Sequence, residues 1–142
     1  MMWNALAKYR DVGLLVVRLG FGLGFIYFHG WGKLVGGPER WEAVGGAMSN
    51  FGIGFGHTFF GFLAALAETL GALCIAAGLF FRPACAALAF TMFVATVNHI
   101  VSGRGSPGHA FKNFWLFVGL TLVDPGKYSL DALLSRKFGS SE

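Results

Sequence analysis

Four long apolar runs dominate this chain, and they restrict it to one kind of fold. A membrane helix needs about 20 predominantly apolar residues. The runs at about Val12 to Leu34, Thr58 to Phe81 and Pro83 to Val101 meet or nearly meet that length, and a shorter one covers about Ala110 to Val123. None alternates as a half-buried strand would, and no internal repeat stands out. The expected fold is all-α: a four-helix transmembrane bundle, one domain over residues 1–142. Composition points the same way. Only 13% of the residues are charged and 55% are hydrophobic, with mean hydropathy +0.61. Soluble domains average roughly a quarter charged, so a soluble fold would lack the polar surface to cover its core.

The net charge of +4 raises the question of nucleic acid. The basic residues are dispersed between apolar runs, with no basic stripe or Arg-rich arm, and nucleic-acid binding is set aside on that ground. Cys74 and Cys85 form no CxxC pair, which argues against thiol–disulfide chemistry. They read as small apolar residues. Lys8 and Arg10 before an apolar run resemble a signal peptide. The run outlasts the usual h-region of about 7–15 residues, so it is read as a retained first span.

Inside the first run, Arg18-Leu-Gly-Phe-Gly-Leu-Gly-Phe-Ile-Tyr-Phe-His-Gly-Trp-Gly-Lys33 carries three ionisable groups. On a helix, Arg18 and His29 lie about 20° apart, and Lys33 is about 60° round from Arg18. All three share one side, which should face protein or water rather than lipid. Gly20 and Gly24 form a GxxxG spacing, a weak signal for close helix packing in the bundle or in a homo-oligomer.

Between the first two runs, Trp41, Val44, Met48, Phe51 and Phe55 recur at three- and four-residue spacing after Pro38 and Glu39. A short amphipathic helix on the membrane surface is expected there; the alternative is a glycine loop, since Gly45-Gly46 weakens a helix. After the fourth run, Asp124-Pro125-Gly126 should turn the chain, and Leu130, Leu133, Leu134 and Phe138 suit an interfacial helix. Lys and Arg number six on the side of the termini and four on the other, favouring both termini inside.

That threading sends all four histidines to the outer face. The set expected there is His29, Lys33, His57, His99, Arg104, His109, Lys112 and Asn113. No HxH or HxxxH spacing supports a metal site, so none is assigned. Two readings stay open: a pocket for an amphiphile or anion, with Phe28, Trp31, Phe111 and Trp115 able to flank a ring, or residues that simply mark the interface. Deeper in the membrane, Arg18 and Glu68 each need a partner, because an unpaired charge there costs several kcal/mol. An Arg18–Glu68 ion pair is expected. It reads either as a structural clamp or as a means of setting the proton affinity of a ligand-binding or proton-relaying Glu68.

Arg18-Leu-Gly with His29-Gly-Trp-Gly-Lys33 resembles the first span of the DoxX family. Glu68-Thr-Leu-Gly and Gly78-Leu-Phe-Phe-Arg82 resemble its second span. Asn98-His99 and Pro125-Gly-Lys-Tyr-Ser-Leu-Asp131 match later segments. The resemblance covers nearly the whole chain and implies a four-span protein of the bacterial inner membrane. Some relatives are similar to the quinone-linked membrane subunit of thiosulfate:quinone oxidoreductase; others look like membrane partners of redox or stress-defence proteins. The family's Arg, His, Lys and Glu positions map onto Arg18, His29, Lys33 and Glu68. Three functions follow as expectations. The first is a quinone-linked oxidoreductase component, working with a redox partner subunit. The second is a non-catalytic membrane subunit of a redox or stress-defence complex. The third is a small transporter or lipid-binding module.

Overall fold

The computed structural model describes residues 6–138, and among them every regular element is helical. Helix α1 spans Arg10–Leu34, α2 Gly37–Gly45, α3 His57–Ala77, α4 Phe81–Ser102, α5 Pro107–Leu122 and α6 Leu130–Phe138. A 3-10 segment, Gly46–Phe51, prolongs α2 until Gly52 ends it in the left-handed region. Helices α1, α3 and α4 are long and apolar enough to cross a membrane; α5, with 16 residues, is shorter.

Consecutive long helices run antiparallel. Gly22 of α1 lies against Ala72 and Ala76 of α3, and Gly30 lies against Glu68 and Thr69. Phe25 meets Phe117 of α5 edge-on at 5.2 Å between ring centres. The core joins Phe25 to Ile75, Phe81, Leu88, Met92 and Phe117. Gly20 and Gly24 have no other part of the chain within 4 Å of where a Cβ would sit, so the GxxxG spacing plays no part in packing among the described residues.

The second apolar run was expected to continue to Phe81. The helix stops at Ala77, because Gly78 takes φ 67° and reverses the chain. Helix α4 then starts at Phe81, before Pro83, with its first amides capped from far away in sequence. Asp131 accepts hydrogen bonds from the Phe80 and Phe81 N–H groups at 3.0 Å each. This serves the unpaired donors that every helix start exposes.

The amphipathic helix expected between the first two runs is present, but its apolar face meets protein. The Trp41 indole donates to the Lys33 carbonyl at 2.8 Å and packs on Phe62. Gly45 sits directly on the His57 carbonyl, and Gly61 on the Trp41 backbone. Two glycines thus let α2 and α3 touch backbone to backbone. The Gly45-Gly46 pair that weakens an isolated helix is here a contact and a stop.

At the end that holds the start of α1, the Asp124-Pro125-Gly126 turn is stitched down by charge. Arg10 donates to Asp124 at 2.7 Å, and the Lys127 N–H donates to Asp11 at 3.1 Å. The Arg10 guanidinium, followed by the Gly126 N–H, holds the Asp124 carboxyl below the usual carboxylate range.

Candidate functional site

Two helices break their regular winding at the same level. Helix α1 widens to a π-helical turn at Ile26–Gly30, and α3 does so at Ala67–Gly71. Such turns are rare and often mark functional positions. One contains His29 and the other Glu68. They lie against each other because a Cβ on Gly30 would fall on the Glu68 carbonyl.

The ion pair expected between Arg18 and Glu68 does not form. Glu68 is 1% exposed and pairs with Lys33, whose Nζ lies 2.6 Å from each carboxylate oxygen. Arg18, also 1% exposed, donates to the backbone carbonyls of Pro125 at 2.7 Å and Tyr128 at 2.9 Å. The cause is the register of the antiparallel pair. Arg18 stands level with Gly78 at the end of α3, while Gly30 stands level with Glu68. Lys33, in the last turn of α1, is therefore brought to the middle of α3. The first turns of α3 are covered by α2 instead.

The eight residues expected in one polar pocket separate into distinct sets. His29 and His109 face each other, Nε2 to Nε2, at 3.1 Å, and the Asn113 amide lies 3.0 Å from His109 Nε2. His57 bonds to Ser49 and the Ile53 carbonyl and stands 3.5 Å from Glu42. It ties the α2 segment to the start of α3. His99 Nδ1 lies 2.7 Å from the Arg104 carbonyl. The side chains of Arg104 and Lys112 are exposed, as are the rings of Phe28, Trp31, Phe111 and Trp115. Among the described residues, no group of three His, Cys, Asp or Glu is placed to hold a metal ion.

Sequence reasoning missed a cavity beside the Lys33–Glu68 pair. A cavity of about 740 Å³ opens between the α2 segment, α3 and α4. Its wall is mostly apolar, with Val44, Leu63 and Phe90 among its lining. Lys33 and Glu68 stand in that wall, joined by Asn98 and His99. The 3-10 segment closes one side, because Asn50 donates to Asn98 at 3.0 Å and Phe51 packs on Phe93. A concave apolar site of 300–1,000 Å³ with a few convergent polar groups is the usual form of a small-molecule site. A buried carboxylate with a partly buried ammonium in such a wall can offer a donor, an acceptor and an exchangeable proton.

A family model described as DoxX matches residues 13–100. No curated protein and no solved structure matches the chain.

Proposed function

The chain belongs to the DoxX family, and from that premise we propose that this multi-pass membrane protein binds a quinone as the membrane component of an oxidoreductase. The observation that carries the reading is the Lys33–Glu68 pair, a buried carboxylate and a partly buried ammonium in the wall of an apolar cavity. The donor set fits the group: Lys33 is a donor for a quinone carbonyl oxygen, Asn98 offers a second amide, and the apolar wall suits an isoprenoid chain. Bound quinone supplies two-electron, two-proton redox chemistry, with electrons exchanged with a redox partner subunit. The chain's own part is to orient the head group through Lys33, to hold or release a proton at the Glu68 carboxylate, and to exclude water with its apolar wall.

In this reading α5 is a fourth span of the bundle, the protein lies in the bacterial inner membrane, and both termini are cytoplasmic. The six-to-four distribution of Lys and Arg supports that orientation. The test is extraction of quinone from protein purified in mild detergent. Wild type should retain it, Lys33→Met and Glu68→Gln should lose it, and Lys112→Ala, exposed away from the cavity, should keep it. Quinone-free wild type, or retention unchanged in both cavity variants, overturns the reading.

A further inference from the structure

Glu68 is almost fully buried, and its partner Lys33 is only partly exposed. Water at the end of the molecule holding the histidines is met by exposed His109, in the first turn of α5. His109 Nε2 lies 3.1 Å from His29 Nε2, and His29 is half-buried in the π-helical turn of α1. Gly30, the residue after His29, lies against the Glu68 backbone, and Lys33 follows His29 four residues later on the same helix. Exposure falls along this line, from His109 through His29 and Lys33 to Glu68. Three helices supply it, and the backbone contact of Gly30 on Glu68 brings its two halves together.

We propose that His109 and His29 form a proton relay between the aqueous phase and the buried Lys33–Glu68 pair. An imidazole carries protons because it can accept at one ring nitrogen and donate from the other. A proton taken up by His109 makes an imidazolium. Its Nε2–H proton passes to the Nε2 lone pair of His29, leaving His109 neutral. His29 then gives up its Nδ1 proton toward Glu68, and one proton has moved with no net change in either ring's charge. The Asn113 amide donates to the His109 carbonyl at 3.0 Å and so holds the first turn of α5 in place beside His29. In this scheme His29 and His109 are relay residues, and Asn113 is a positioning residue. The proposal rests on the reading of Glu68 as a proton-exchanging group, but not on the identity of the cavity's ligand.

The test uses the full chain in lipid nanodiscs without quinone. A pH jump is followed by time-resolved infrared spectroscopy of the carboxyl C=O band that Glu68→Gln removes. His109→Ala and His29→Ala should each slow protonation of Glu68 by about tenfold or more, where positioned proton transfer typically contributes about 10²–10⁴-fold. Free imidazole should restore the rate in His109→Ala, which a merely structural role would not predict. His57→Ala should leave the rate unchanged. If His109→Ala fails to fold, His109→Gln keeps a polar partner for His29 and should still be slow. Unchanged rates in the histidine variants, slowing without imidazole rescue, or the absence of any carboxyl band that Glu68→Gln removes each overturn the relay. Loss of quinone retention with the relay intact would overturn only the quinone reading.

Discussion

Removing Lys33 alone leaves the Glu68 carboxylate buried with no cation. Breaking one side of a buried pair typically costs about 3–5 kcal/mol, whereas replacing both partners with apolar groups of similar volume is often neutral. Lys33→Ala should therefore lower thermal stability in detergent sharply, while the double variant Lys33→Met with Glu68→Leu should recover most of the loss. Equal destabilisation in the single and double variants would show that the pair is not the source. Asp124 behaves differently, because its pair with Arg10 is exposed. Its carboxyl is held low in the folded state by the Arg10 hydrogen bond and then by the Gly126 N–H. Its contribution is thus complete above the ordinary aspartate range and fades as pH falls through the lowered folded value. Asp124→Asn should lower stability slightly at neutral pH, where that contribution is complete, and converge with wild type at acid pH, so that the small acid-side slope disappears from the pH profile of thermal unfolding. Arg18, His29, Lys33 and Glu68 were all legible in the sequence as residues that lipid would not tolerate. Their pairings were not. Arg18 is satisfied by the carbonyls of Pro125 and Tyr128, which carry no side-chain signature, and a wheel drawn at 3.6 residues per turn cannot anticipate two π-helical turns.

Elements were read well where apolar periodicity was strong and poorly where their ends depend on distant groups. The α2 pattern of Trp41, Val44 and Met48 was visible, but what it covers was not. The glycines that decide the question, Gly45 and Gly61, look in sequence like weak points. In the folded chain each is a place where only hydrogen fits against a neighbouring backbone. Gly61→Ala should force α2 off α3, at about 1–3 kcal/mol for overpacking, and distort the cavity that both helices line. Gly46→Ala is the control: nothing lies within 4 Å of its Cβ position, and φ is −54°. It should be neutral or stabilise by about 0.4–1 kcal/mol. Thermal unfolding of the two variants checks the contrast, and similar losses in both would assign the effect to helix propensity instead of contact. The start of α4 failed for a related reason: its cap, Asp131, comes from fifty residues downstream.

At the scale of the molecule, whether α5 crosses decides on which side of the membrane α6 lies relative to the histidines. Its 16 residues span about 24 Å at 1.5 Å per residue, against a hydrocarbon core of about 30 Å. His109, Lys112 and Asn113 occupy its first two turns, so the purely apolar length is shorter still. Two things favour crossing. Local thinning of the bilayer costs only fractions of a kcal/mol per Å of mismatch, and α5 shares a core with α1 and α4 through Phe117, Phe25 and Leu88. A helix lying flat on the surface could not share that core with spans that cross. If α5 crosses, Ser106 at its start and Ser135 in α6 lie on opposite sides of the membrane. With Cys74 and Cys85 replaced by alanine, Ser106→Cys should react with an impermeant maleimide added outside intact spheroplasts, and Ser135→Cys only after permeabilisation. Labelling of both from one side would place α5 as a re-entrant or surface helix. The reverse pattern would keep the crossing but invert the protein, so that the His109–His29 pair would meet cytoplasmic water.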